Sequence, residues 1–306
     1  MMADRRESLP AFMQGVTGEL LINEPMSRHT SWRVGGVAEY FFTPADRDDL
    51  LTLLSRLPDS VPIHWVGLGS NLLVRDGGIR GMVVRSSKGL RGWHIVGDSH
   101  LYAESGVACA QVARIAARYC LSGVEFLSGV PGSFGGALAM NAGAFGAETW
   151  PFVSSVDCAD RNGNVRQVAQ SEISFGYRSV NLPEDTWLLG GTLALTKEAS
   201  DYRGREKIRS LLDRRSASQP IQSANAGSVF RNPPGDFAAR LIEQSGLKGR
   251  QIGGAEVSTV HANFIVNTGS ATAADIENLI ALVRDQVKQD SGIELEPEVR
   301  FLGEET

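Results

Sequence analysis

Gly129-Val130-Pro131-Gly132-Ser133-Phe134-Gly135-Gly136 runs on through Ala137-Leu138-Ala139-Met140-Asn141-Ala142-Gly143-Ala144-Phe145-Gly146, with six glycines in eighteen positions. That density is too high for a packed helix or strand, so the stretch is expected to be a loop. A flexible surface linker would not interleave Val130, Phe134, Leu138, Met140 and Phe145. Small residues leave room for a large planar ligand against backbone, and Ser133 and Asn141 can supply hydrogen bonds.

Upstream, Gly67-Leu68-Gly69-Ser70-Asn71 follows the apolar run His64 to Gly67. Glycines there let the backbone approach an anion, and the following N–H groups and the Ser70 hydroxyl can donate to a pyrophosphate. A purely steric glycine turn fits the same residues. The dinucleotide fingerprint GxGxxG is broken at Leu72, and Leu72-Leu73-Val74 reads as strand rather than helix. A Rossmann-type NAD dehydrogenase is therefore disfavoured.

Around these loops the pattern gives an α+β order. Trp32 to Phe42 reads as a strand, and Thr43-Pro44-Ala45-Asp46 opens a helix with Thr43 as its cap and Leu50, Leu51, Leu54 and Leu57 on one face. Short strands between Gly81 and Ser105 precede a helix carrying Val112, Ile115, Ala116 and Tyr119, and Phe152 to Cys158 and Trp187 to Leu195 return to strand. A charged helix, Arg203 to Ser216, leads out of this part. The last third has two helices: one begins at Asp236 and buries Phe237, Leu241 and Ile242, and the other opens with Thr272-Ala273-Ala274-Asp275. They flank strands at Ser228–Phe230, Phe264–Asn267 and Val299–Leu302. Three segments result: 1–80, a leader over about the first 20 residues plus a first subdomain; 81–200, a second; and 201–306, a separate C-terminal domain.

Composition excludes several classes. The chain has 306 residues, 42% apolar and 21% charged, an ordinary globular balance. Its formal net charge is −5 with no basic run, so nucleic acid is not an expected partner. Cys109, Cys120 and Cys158 have neither disulfide-framework nor zinc spacing and fit a reducing cytoplasm, with no metal site. Met1 to Gly15 lacks the apolar core of a signal peptide, and no run approaches the roughly 18 apolar residues of a membrane span.

Taken together, Gly67–Gly78, Gly129–Gly146 and His29-Thr30-Ser31-Trp32-Arg33-Val34-Gly35-Gly36 resemble the UDP-N-acetylenolpyruvoylglucosamine reductase family from about residue 20 to residue 303. The resemblance implies a two-subdomain FAD-binding fold of the vanillyl-alcohol-oxidase (PCMH) type plus a C-terminal α+β substrate domain. It implies non-covalent FAD, NADPH, a nucleotide-sugar substrate and a monomer. Cofactor contacts would fall on Gly67, Gly69, Ser70, Asn71, Gly132, Ser133, Gly135, Gly136, Asn141 and Gly143. No insertion supplies the substrate-covering tyrosine loop of longer members, so the chain is similar to the shorter subtype.

Three polar positions complete the expectation. Arg178, in Phe175-Gly176-Tyr177-Arg178, suits either a surface ion pair or a bidentate hold on a carboxylate. Ser228, in Gly227-Ser228-Val229-Phe230-Arg231-Asn232-Pro233, lies in no GxSxG elbow, which argues against a hydrolase nucleophile. Alternation puts Glu296, Glu298 and Arg300 on one strand face, by itself a solvated edge. The resemblance makes Arg178 and Glu298 catalytic and Ser228 the proton donor, with Glu296 the rival of Glu298. It gives Asn232 and Arg300 substrate contacts. His261, beside a strand, is assigned a substrate hydrogen bond and no proton transfer. The chain departs from the family at the serine often found two residues after the arginine, since Ser179 is adjacent and Val180 follows. Rival readings are another flavoenzyme of the same fold and a non-catalytic flavin or nucleotide-sugar binding module.

Overall fold

The structure, a computed structural model, describes residues 10–305. The first part of the expected leader lies outside those residues. Residues Glu19–Pro25, Val37–Thr43, Ile79–Arg85 and Ile63–Val66 form a four-stranded sheet in that order, with one antiparallel and two parallel pairings. Its last strand in sequence, Ile79–Arg85, straddles the boundary expected at 80, so the first sheet ends at Arg85. The helix Arg47–Leu54 is capped by Asp46, whose side chain accepts from the Asp49 N–H, and not by Thr43. Thr43 is still paired with Glu19 in the sheet, which leaves the cap to the next acidic residue. Leu50, Leu53 and Leu54 are the buried leucines of this helix.

The second lobe is a five-stranded antiparallel sheet in the order Val165–Ala169, Val153–Ala159, Trp187–Ala194, His100–Glu104, Trp93–Val96. The helix Cys109–Arg118 joins its core, together with Phe134, Leu138 and Trp150. One expectation fails here: Phe134–Met140 in the glycine-rich stretch is a helix, capped by Ser133 and ended by Asn141. The glycines are there for close approach. A Cβ added at Gly135 would lie 2.5 Å from the Ser105 Cβ, so the helix can sit directly on the neighbouring chain only without a side chain.

In the last third, Ala224–Asn225, Ile265–Asn267, Ala255–Val257 and Gln251–Ile252 make a four-stranded sheet. The helix Ala273–Ser291 packs over it, opened by the Thr272–Asp275 capping box and closed by Gly292 in the left-handed region. Asp76, from the first lobe, accepts from the N–H groups of Ala273 and Ala274 and so caps the same helix from outside. The shorter helix starts at Ala238 rather than Asp236. Phe237, expected in the core, is its flanking residue and is 66% exposed.

Two further connections tie the last third to the first lobe. Trp32 is fully buried in the C-terminal core, where its Nε1 donates to the Ile265 carbonyl at 2.7 Å. The strand expected from Trp32 therefore begins only at Val37. At the other end, Arg300–Leu302 runs parallel to Leu72–Val74 and returns the C-terminus to the first glycine loop. The expected strand Ser228–Phe230 reduces to one bridge between Phe230 and Pro297. Among the described residues no helix is long and apolar enough to cross a membrane.

Gly135→Ala is predicted to destabilise the chain by about 1–3 kcal/mol, because the added methyl overpacks the contact with Ser105. Urea unfolding reads this as a lower midpoint. An unchanged midpoint would mean that the two segments separate freely.

Candidate active site

A cleft of about 330 Å³, open to solvent, runs between the two glycine loops and the last third. Its first wall is the turn after Ile63–Val66. A Cβ at Gly69 (φ +65°) would fall 1.9 Å from the His29 carbonyl oxygen, and one at Gly67 2.2 Å from the Ser133 Oγ. Only glycine lets these backbones touch. Among the described residues, the N–H groups of Leu68, Gly69, Ser70 and Asn71 meet no protein acceptor. A run of free amides on a cleft wall is an anion-binding nest, suited to a pyrophosphate.

The second wall is the helix Phe134–Met140 and the loop on either side of it. Gly132, Ser133, Gly136 and Gly143 line the cleft with Gly67, Gly69, Ser70 and Asn71. Ser133 is buried and its hydroxyl oxygen caps the helix by accepting from Gly136 N–H, which leaves its O–H proton free to donate. Gly135 and Asn141 do not reach the cleft. Asn141 is fully buried in the left-handed region (φ 46°, ψ 53°) and uses its whole amide internally. Its Nδ2 donates to the Gly176 carbonyl and to Glu148 Oε2, each at 2.9 Å, and its Oδ1 accepts from Trp150 N–H.

That network holds Arg178. The side chain leaves the tip of a two-residue hairpin between Phe175–Gly176 and Ser179–Val180, with Arg178 at φ +53°. A non-glycine residue there is strained by about 1–3 kcal/mol and persists only where its surroundings fix it. The guanidinium donates to Glu298 Oε1 at 3.1 Å, to the Gly143 carbonyl at 2.9 Å and to the Asn141 carbonyl at 3.3 Å. Arg178 and Glu298 are 15% and 13% exposed at the side chain, so the pair is largely desolvated. Burial pushes the Glu298 carboxyl above the ordinary carboxylate range, against the opposing pull of Arg178 and then Arg231.

Glu298 itself is placed by two neighbours. Asn71 Nδ2 donates to its carbonyl at 3.1 Å, and its own N–H donates to the Val229 carbonyl at 2.7 Å. The second bond brings Ser228 to the same wall, and Arg300 lines the cleft one step along the strand. Asn263, which the sequence gave no reason to select, locks this crossing. Its side chain accepts from Phe230 N–H and donates to the Phe230 carbonyl. Glu296 shares no face with Glu298: it is exposed and pairs with Arg231.

Two expected substrate contacts lie off the cleft wall. Asn232 Oδ1 accepts from Ala238 N–H at the start of the short helix. His261 Nδ1 accepts from Asn263 N–H, and its ring packs edge-on against Phe264, which does line the cleft. Burial, followed by nearby Lys248, pushes the His261 imidazole below its ordinary range. Arg215, Gln219, Trp65 and Phe145 also line the cleft without having been singled out. In the sequence Arg215 is one cation among many on a charged helix.

The chain matches two family models: an FAD binding domain over residues 38–169, and the UDP-N-acetylenolpyruvoylglucosamine reductase C-terminal domain over residues 219–302. It is 54% identical over 299 residues to the UDP-N-acetylenolpyruvoylglucosamine reductase of Methylococcus capsulatus, covering 98% of each chain. Against that of Alkalilimnicola ehrlichii it is 49% identical over 305 residues, covering 99% of each. The crystal structure of the Thermus caldophilus reductase superposes with a TM-score of 0.76 at 32% identity, covering 94% of this chain and 99% of that one. A fold of two FAD-binding lobes and a third domain, carried on sequences this similar over their full lengths, leaves one conclusion: the chain belongs to the UDP-N-acetylenolpyruvoylglucosamine reductase family.

Proposed function

We propose that the chain is an FAD-containing, NADPH-dependent oxidoreductase that reduces UDP-N-acetylglucosamine enolpyruvate to UDP-N-acetylmuramate in peptidoglycan precursor synthesis. The observation that carries the site assignment is the desolvated Arg178–Glu298 pair, in one cleft with Ser228 and the free amides of Leu68 to Asn71. The two glycine loops fit FAD: the free amides suit its pyrophosphate, and the second loop offers a flat, small-residue wall. When bound, FAD supplies the redox chemistry, accepting a hydride from NADPH and delivering one to C3 of the enolpyruvyl group.

The chain's own residues manage the charge that this creates. Arg178 grips the substrate carboxylate and opposes the negative charge that grows on C2 and the carboxylate oxygens. Glu298, whose carboxyl burial biases toward the protonated form, donates a hydrogen bond to the same oxygens. Ser228 gives its proton to C2, which completes the lactyl ether. A hydroxyl is a weak acid and acts only because the carbanion at C2 is strongly basic. Arg300 lies where it can hold a second anionic group. Asn71 and Asn141 act at one remove, by fixing Glu298 and Arg178.

We also place the enzyme in the cytoplasm as a monomer. Its three cysteines are free, and burial pushes the Cys109 thiol up to about 12 and the Cys158 thiol up to about 11, as inert core groups.

Three outcomes test these roles. In anaerobic absorbance, NADPH should bleach the flavin band, and UDP-N-acetylglucosamine enolpyruvate should restore it. Recovery with air alone would sink the substrate assignment. Ser228→Ala and Arg178→Lys should each slow the restoring step by roughly 10²–10³ while NADPH bleaching keeps its rate; equal slowing of both steps would remove them from proton and charge management. The raised Glu298 carboxyl gives a pH signature. Its protonated form is the working one, so the restoring step should fall as pH rises through that raised value. Glu298→Gln, which cannot ionise, should lose that limb, and a limb that survives the substitution belongs to another group.

A further inference from the structure

Arg178 faces a second carboxylate that the chemistry above does not use. Glu148 Oε1 lies 3.9 Å from Arg178 Nη1, whereas Glu298 takes the Nε donor, so the two acids meet different nitrogens of one guanidinium. Among the described residues Glu148 does not line the cleft, and its connection to the site runs through Arg178.

A tight turn puts Glu148 there. Phe145 and Gly146 both take positive φ, +56° and +84°, and close the hairpin of Gly143–Ala144 and Ala147–Glu148. Glu148 is thereby paired with Gly143, whose carbonyl accepts from Arg178 Nη2. A Cβ at Gly143 would fall 3.1 Å from both Arg178 Nη1 and Glu148 Cγ. The missing side chain is what lets the guanidinium and the stem of the acid meet over this residue. Asn141 Nδ2 then fixes the carboxylate by donating to its Oε2 at 2.9 Å.

The two carboxylates are not equivalent. Glu148 is 31% exposed at the side chain and Glu298 13%, so Glu148 is the better solvated. Burial, meanwhile, pushes Glu298 toward its neutral form. An arginine buried against a single carboxylate resists protonation of that partner, because the cation would be left uncompensated. A second, better-solvated anion on the same guanidinium removes the obstacle.

We propose that Glu148 is a positioning residue, the standing counterion of Arg178, which frees Glu298 to act as a neutral hydrogen-bond donor when the enolpyruvyl carboxylate arrives. The proposal rests on the functional reading above and deepens it. Arg178 and Arg231 are the charged groups that face Glu298, Arg231 being shared with Glu296, while Arg300 and Arg215 line the same cleft. Glu148 acts on Glu298 through Arg178, by dividing the hold of that guanidinium between two acids.

The test follows the restoring step of purified holoenzyme anaerobically across pH, with UDP-N-acetylglucosamine enolpyruvate as substrate, in wild type, Glu148→Gln and Glu148→Asp. Gln keeps an acceptor for Asn141 and removes the charge. Arg178 then turns undivided on Glu298, which ionises more readily, so the limb where restoration falls with rising pH should move to lower pH. Just above the wild-type limb, Glu148→Gln should restore roughly tenfold more slowly, and well below the limb it should match wild type. Asp keeps the charge and should leave the limb nearer its wild-type position. In a Glu298→Gln background, Glu148→Gln should add no pH-dependent loss, since no carboxyl remains there to titrate. Equal slowing at every pH with the limb unmoved would make Glu148 merely structural and overturn the proposal. Loss of FAD, or of NADPH bleaching, from Glu148→Gln would overturn it too. A wild-type flavin that this substrate fails to restore would instead bring down the functional reading.

Discussion

Asn71 holds the two halves of the chemistry together. Its side chain donates to the Glu298 carbonyl and its own carbonyl accepts from Arg300 N–H, so the last residue of the first glycine turn is fastened to the segment that carries Glu298. Both bonds lie at the entrance to the parallel pair Leu72–Val74 and Arg300–Leu302. That pair joins the first glycine turn to the segment that carries the Glu298 carboxyl. Catalysis that depends on a charge developing at one carbon is lost with misplacements of about 1 Å, which makes this short ladder the reference frame for the cleft.

Arg178 is fixed against the same frame from the other side. A buried guanidinium paired with a buried carboxyl is a poor source of stability, since desolvation offsets most of the attraction. Here the guanidinium also uses two carbonyls of the glycine stretch, and the carboxyl is biased toward its neutral form. The further the Glu298 carboxyl lies toward its neutral form, the more of the Arg178 charge is left for an incoming carboxylate.

Much of this was legible in the chain. Glycine spacing, the capping box at Thr272 and the strand Leu72–Val74 are local signals, decided by residues adjacent in sequence, and they were read correctly. The helix Phe134–Met140 was not, because its glycines answer to Ser105, nearly thirty positions away, and no local rule carries that contact. Asn141 was read as a ligand-facing amide for a similar reason: its residue type was right for a loop that binds, but its partners, Gly176, Glu148 and Trp150, are tertiary. Alternation failed at Glu296 and Glu298 because the strand starts only at Arg300, and both residues lie outside it. Phe237, expected in the core, is exposed beside a helix start, and Trp32, expected to open a strand, is sunk into a core from the opposite end of the chain.

The position of Trp32 bears on how the protein is made. Chains emerge from the ribosome N-terminus first, at about 5–20 residues per second, and lobes ordinarily fold as they appear. Here the indole donor of an early residue finds its acceptor at Ile265, and the first glycine turn finds its partner strand at Arg300. The nascent first lobe must therefore wait, with a large aromatic side chain uncovered, until nearly the whole message has been translated. A product truncated before Ile265 would lack both the acceptor of that indole and Glu298.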